Sequence, residues 1–158
     1  MAAFSLETRP GNGRTHVVIS GLVDEQVDLT PIIGLDGTVE LNLKGIRRLN
    51  SAGVRVWVDA LRTLSKRARV EVIEASPAVV DQLNMISGFL GGGTLRSFYG
   101  PMICERCDKE SNHLFDAGEV RDLDRLPPVT CATCSQPLEL DDDEDRYIHF
   151  LREPTRVG

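Results

Sequence analysis

Four cysteines carry the clearest chemistry in this chain. Cys104 and Cys107 form one C-x2-C pair, Cys131 and Cys134 form a second, and 23 residues separate the two pairs. Each pair can set two thiolates on a tight knuckle, and two knuckles complete a tetrahedron around one soft cation. Zinc is the simplest occupant, because it needs no redox partner. Four protein thiolates leave no open coordination position, so the expected role of the zinc is structural and not catalytic. A single iron is compatible with the same ligands, and two disulfides or a dithiol redox pair would use the same sulfurs. Disulfides require an oxidising compartment. His113 and His149 could each replace a cysteine as ligand; the plainer reading leaves both solvated. A segment running from residue 101 to about residue 151 is too short to bury much core, and a bound metal supplies what burial cannot.

The remainder of the chain must position that cluster. The whole sequence has 158 residues, 41% of them hydrophobic and 27% charged, which is ordinary globular composition. Charge is unevenly spread: residues 1–100 hold 11 basic and 10 acidic side chains, whereas residues 101–158 hold 7 basic and 14 acidic. The sequence reads as two units, 1–100 and 101–158, joined near Gly100–Pro101. A net charge of −6 argues against a dedicated nucleic-acid binder. No apolar run reaches the roughly 18 residues that a membrane span needs. The N-terminus has no basic segment followed by an apolar one, so the expected location is cytoplasmic.

Strands are expected at Phe4–Glu7, His16–Ser20, Val39–Leu43, Arg69–Ala75 and Thr94–Tyr99, where β-formers alternate or cluster between turn residues. One short helix is expected within Asp28–Ile33, with Pro31 tolerated only near its first turn. Lys44–Asn50 reads as a connecting loop. Val54, Trp57, Val58, Leu61 and Leu64 then recur at helical spacing. Arg55, Asp59, Arg62 and Lys66 lie on the opposite, solvated side. Ser51 is expected to cap this helix, with Asn50 the rival cap. Ser76-Pro77 opens a second long helix with an apolar stripe at Val79, Val80, Leu83 and Ile86, and Gly88 stops it. Met85, Ile86, Phe89 and Leu90 read mostly as core, with Phe89 and Leu90 alternatively an exposed contact knob. The resulting order, β-β-(short α)-β-α-β-α-β, is that of an α/β domain with a mixed sheet. Right-handed crossovers place both long helices on one side of it, and the cysteine unit is a candidate cover for the other. In that unit, Leu123 and Leu126 precede a Pro127-Pro128 stop. Asp141–Asp145 is an acidic run expected in an exposed loop. Tyr147, Ile148, Phe150 and Leu151 suggest a closing strand, and a frayed tail is expected from Pro154.

The loop Leu49-Asn50-Ser51-Ala52-Gly53 enters a helix, and backbone amides at a helix start attract anions. Together with the preceding Val39-Glu40-Leu41-Asn42-Leu43, with Val54 after it and with Ser76-Pro77-Ala78-Val79 followed by Leu83, it resembles the STAS domain of bacterial anti-sigma-factor antagonists. That family carries a strand, a short loop with an Asp-Ser-Ser-Gly-Leu motif, and a helix. The resemblance covers roughly residues 4–99 and implies a STAS-like mixed sheet with helices on one side; the cysteine spacing adds a small zinc ribbon after it. It also implies a non-enzymatic signalling module or scaffold. Its partners would be proteins: an anti-sigma factor or switch kinase of the histidine-kinase-like ATPase type, or other STAS-like subunits. Asn50 stands at the family's aspartate, Ser51 at the first serine, Ala52 at the phosphorylated serine, Gly53 at the glycine and Val54 at the leucine. Ala52 has no hydroxyl, so the usual phosphorylation switch cannot operate there. Ser51 is read as a cap or as an alternative phosphate acceptor.

Arg47, Arg48 and Arg55 flank the loop, either as a solvated basic face or as a surface for an acidic partner, a phosphate group or the chain's own acidic run. The candidate partner-binding set is therefore Asn50, Ser51, Ala52, Gly53, Arg47, Arg48 and Arg55. The triple glycine Gly91-Gly92-Gly93 is not a phosphate loop, since no Lys-Ser or Lys-Thr follows and it leaves a helix instead of opening one. No Ser-His-Asp arrangement stands out, and His16 falls on a strand. The competing reading is a zinc-ribbon transcription or nucleic-acid adaptor, disfavoured by the acidic cysteine unit. A redox enzyme would need an exposed, low-pKa cysteine pair.

Overall fold

A computed structural model describes residues 3–120 and 125–152 of the chain. Leu123 and the tail from Pro154 lie outside the described residues. Two sheets organise the fold. The first contains β1 (Ser5–Pro10), β2 (Arg14–Val23), β3 (Gly37–Leu49), β4 (Ala68–Ile73) and β5 (Thr94–Leu95), in that spatial order. β1 runs antiparallel to β2, and every later neighbour is parallel, so the sheet is mixed. The parallel steps all advance in one direction through α1 (Thr30–Ile33), α2 (Ser51–Ser65) and α3 (Pro77–Met85). Right-handed crossovers of that kind stack their helices on one face.

The sheet's two faces follow from period-2 alternation. Val17, Leu41, Val72 and Leu95 are in register across four strands, and all are fully buried. They meet Trp57, Leu61 and Leu64 of α2 in one apolar core. Trp57 stacks on Phe89 with centroids 5.9 Å apart. Phe89 and Leu90 are therefore core residues and not an exposed knob. Met85 behaves otherwise: it ends α3 with 68% of its surface exposed.

The opposite face is polar. One residue out of phase, His16, Glu40 and Glu71 are neighbours across β2, β3 and β4. Arg14 Nη1 donates to Glu40 at 3.0 Å and Glu71 at 3.1 Å, and His16 Nδ1 lies 2.7 Å from Glu40. Arg69 and Arg96 add ion pairs to Glu71 at 3.7 and 3.5 Å. At His16, Glu40 and Glu71 this face satisfies itself with charge, and it meets the cysteine-bearing part only toward Asn42, where Glu74 accepts from both Asn42 and Tyr99.

That part docks instead against α3. The second sheet has the order β7-β6-β8, with β6 (Ser97–Cys104) between β7 (Lys109–Asp116) and β8 (Glu139–Leu140). The expected strand Thr94–Tyr99 is thus two: β5 ends in the first sheet, and β6 starts the second after a single residue. β6 stays tied to the first half through a parallel bridge from Phe98 to Ala75. Gly100 and Pro101, where the composition changes, are interior residues of β6, opposite His113 and Asn112.

A further correction concerns Tyr147–Leu151. These residues do not form a strand but α4 (Glu144–Tyr147) and a 3₁₀ turn (His149–Arg152). Asp143 stands at the N-cap position of α4, with Glu144 and Asp145 in its first turn, where carboxylates favour a helix. Tyr147, Ile148 and Phe150 are buried. The Phe150 ring meets the Phe98 edge at 5.3 Å, and Phe98 stacks on Phe115 at 5.6 Å. Tyr147 donates to the Tyr99 carbonyl at 2.5 Å, and burial raises the pKa of its phenol.

Asn84 of α3 fastens this segment from both sides. Its amide donates to the Tyr147 carbonyl at 2.8 Å, and its carbonyl accepts from the Phe150 amide at 2.8 Å. Asn84→Ala orphans both backbone groups in a partly buried setting and is expected to cost about 2 kcal/mol. Urea unfolding of the variant beside the wild type measures this, and a loss near zero would show that the clamp contributes nothing.

Candidate functional site

The cysteine cluster is built by two turns brought together by β6 and β8. Cys104 is the last residue of β6, and Cys107 lies in the tight turn leading to β7. The Cys107 amide points at Cys104 Sγ, 3.4 Å away. The second turn is closed by the Ser135 amide donating to the Cys131 carbonyl at 2.9 Å and the Cys131 amide donating to the Gln136 carbonyl at 2.8 Å. Asp108 and Ser135, each just past a C-x2-C pair, have φ of 52° and 63°, the left-handed geometry that a tight knuckle demands.

All four sulfurs lie within 4.8 Å of one another, with Cys104–Cys134 at 3.5 Å and Cys107–Cys131 at 4.0 Å. Metal–sulfur bonds of about 2.3 Å in a tetrahedron give sulfur–sulfur edges of about 3.8 Å. The cluster therefore fits a tetrahedral ion of zinc size, closed on all sides by protein ligands. Cys104 and Cys131 are buried, while the other two are partly exposed. Neither His113 nor His149 belongs to the group. His113 packs edge-on against Phe115 at 4.8 Å, and His149 is exposed.

Cys131 and Cys107 hold their protons unequally. The amides of Cys134 and Thr133 hydrogen-bond to Cys131 and lower its pKa to about 6. Hydrogen bonding with Cys134 and burial push Cys107 up to about 12. Thiolates, not thiols, bind metals, so loading this cluster must expel protons, and acid must weaken it.

The second candidate region is the turn into α2. Asn50, not Ser51, is the N-cap: its backbone is extended, and its side chain accepts from the Gly53 amide at 2.7 Å. Ser51 is the first helical residue and is exposed with Ala52. Asn50 wins because its backbone amide is already held by the Val23 carbonyl at 3.1 Å, which fixes it outside the helix. Gly53 is buried beneath the turn. A Cβ there would stand 2.1 Å from the Val23 carbonyl oxygen, so the close backbone approach excludes any side chain. Asn50→Ala should cost about 1 kcal/mol in chemical denaturation, and Ser51→Ala only a few tenths. Equal costs would contradict this capping assignment.

Arg47, Arg48 and Arg55 are exposed, and none forms an ion pair among the described residues. The acidic run that might have met them is engaged nearer home: Asp142 pairs with Arg146, and Asp145 with Arg152 at 2.8 Å. Lys44–Leu49 is not a loop, since β3 continues to Leu49 with two register shifts against β2. Sequence reading missed Lys44, Tyr99 and Asn112, which share a cavity with Arg47. The available signal was Lys44-x-x-Arg47 in a segment too polar to be recognised as strand. Among the described residues, no helix is long and apolar enough to cross a membrane. No protein-family model and no curated protein matches the chain, so its function rests on its own geometry.

Proposed function

We propose that this chain is a non-enzymatic protein-interaction module of the STAS, anti-sigma-factor-antagonist type, stabilised by a structural zinc on Cys104, Cys107, Cys131 and Cys134. The observation that carries the reading is the turn into α2. Asn50, Ser51 and Ala52 are presented to solvent on a parallel β–α–β unit and are held by Gly53 against the end of β2. A rigid, exposed turn flanked by Arg47, Arg48 and Arg55 suits recognition by an acidic protein surface. Ala52 offers no phosphate acceptor at the family's switch position, so binding is constitutive there. The closed four-sulfur geometry supports architecture as the metal's role, since no ligand position is left for a substrate.

A photo-crosslinking residue at position 52, used in the native cell, tests the proposal. The expected product joins the chain to a switch kinase of the ATPase type, an anti-sigma factor or a second STAS-like subunit, and Arg48→Glu weakens it. A crosslink to nucleic acid instead, or none at all, would overturn the reading.

A further inference from the structure

We propose that the cavity between β3, the start of α3 and the β6–β7 hairpin is a binding site for a small organic anion, a phosphate or carboxylate attached to an apolar or aromatic body. The cavity has a volume of about 650 Å³. That is within the range of small-molecule sites, roughly 300–1,000 Å³. It lies away from the cysteine cluster, and its occupation requires no protein partner.

The argument begins with β3. Lys44 and Arg47 are three residues apart, and in a regular strand they would point to opposite faces. They do not here, because β3 carries two bulges. Between the pairs Val18–Asn42 and Ser20–Gly45, two residues of β3, Leu43 and Lys44, oppose the single Ile19. Between Gly21–Ile46 and Leu22–Arg48, Arg47 is the extra residue. Both cations thus come from bulges, which re-aim side chains, and both line the same cavity. Among the described residues, neither has a carboxylate within ion-pair distance. One carboxylate borders the cavity: Glu74 accepts from two of its lining residues, Asn42 at 2.7 Å and the Tyr99 hydroxyl at 2.8 Å. Two cations against the single Glu74 carboxylate leave the concavity net positive, which favours an anion.

The other walls define the body of the ligand. Val18, Ile46, Pro77 and Ala78 are apolar, and the Tyr99 ring lies 5.8 Å from the Lys44 ammonium. A ring beside Tyr99 with its anionic group at Lys44 and Arg47 would use both kinds of wall. Ser76 does not compete for the ligand, since its hydroxyl donates to the Ile46 carbonyl at 2.7 Å and caps α3.

The test titrates the zinc-loaded 158-residue chain with phenyl phosphate, followed by calorimetry and amide chemical shifts. Phenol and inorganic phosphate serve as the two halves. Phenyl phosphate is expected to bind at least about tenfold more tightly than either half, with shifts at residues 44–47, 76–78 and 99. Lys44→Gln and Arg47→Gln should each weaken it about fivefold or more, with unfolding curves unchanged. Arg67→Gln, an exposed change after α2, should leave affinity as it was. No binding at about 10 mM probe, shifts elsewhere, or equal affinity in the Lys44 and Arg47 variants would overturn the proposal.

Discussion

Removal of the metal by a strong chelator is expected to release one zinc ion per chain and to unfold the knuckles while leaving the first sheet folded. Structural zinc contributes apparent free energies of about 10–16 kcal/mol near neutral pH, as much as a whole domain's stability. Residues 105–108 and 131–138 lie outside the named strands, tied to them by the β6–β7 pairing that ends at Cys104–Lys109. Among their described backbone hydrogen bonds are Cys131 to Gln136, Ser135 to Cys131 and Leu138 to Val129, all local to that stretch. By contrast, β2 and β3 pair along nearly their whole length within the apolar core. Hydrogen exchange should therefore show lost protection at Cys107, Cys131, Ser135 and Leu138, and retained protection at Val17, Ile19 and Leu41. Cys104→Ser and Cys131→Ser should reproduce the pattern without chelator. Acid should do so too, because protons compete for the sulfurs. Metal-free protein with an unchanged exchange pattern would remove zinc from the account.

The second large effect is expected at Gly53. Gly53→Ala puts a methyl group 2.1 Å from the Val23 oxygen, 2.5 Å from its carbonyl carbon and 2.8 Å from Asp24 Cα. All three are backbone atoms, so no rotamer change can relieve the contact, and α2 must lift from β2. The expected cost is about 3 kcal/mol or more, above the ordinary penalty for an added methylene in a core. Ala52→Ser, one residue away and exposed, should fall within about 0.5 kcal/mol of wild type. Urea denaturation of the pair measures both. The proposed function adds a second readout: if it holds, Ala52→Ser places a hydroxyl at the position that is phosphorylated in STAS domains, and Ala52→Asp should weaken capture of the partner. Tolerance of Gly53→Ala would mean that the turn is not clamped as described.

Much of the first half was legible because its signals are local. Alternation marked β2 and the first part of β3, helical spacing marked α2, and Ser76-Pro77 marked the start of α3. The cysteine spacing predicted that four sulfurs would converge, and they lie within 4.8 Å of one another in an arrangement that could hold a metal. The failures have physical causes. The end of β3 is polar and bulged, so its period breaks where Lys44 and Arg47 turn the same way. Ser51 lost the cap to Asn50 through a tertiary hydrogen bond from its neighbour's backbone to Val23, which no local pattern encodes. Tyr147–Leu151 has the apolar density of a strand, yet three carboxylates just before it start a helix, and Asn84 fixes it from 63 and 66 residues upstream. The acidic run lies exposed outside helix and strand at Asp141–Asp143, as expected, while Glu144 and Asp145 belong to α4 and the run pairs with Arg146 and Arg152 of its own short segment.

The placement of β6 bears on any attempt to dissect the gene. A chain stopped at Gly100 would keep the strands and helices of the α/β half but would lose Phe115 and Phe150, the two rings that cover Phe98. It would also lose the segment that Asn84 clamps, leaving the outer side of α3 wet and greasy at once. Such a fragment should stick to itself, and a binding defect measured on it would report insolubility and not a missing recognition surface. Point changes at the sulfurs, made in the intact polypeptide, are the cleaner instrument for separating the two halves.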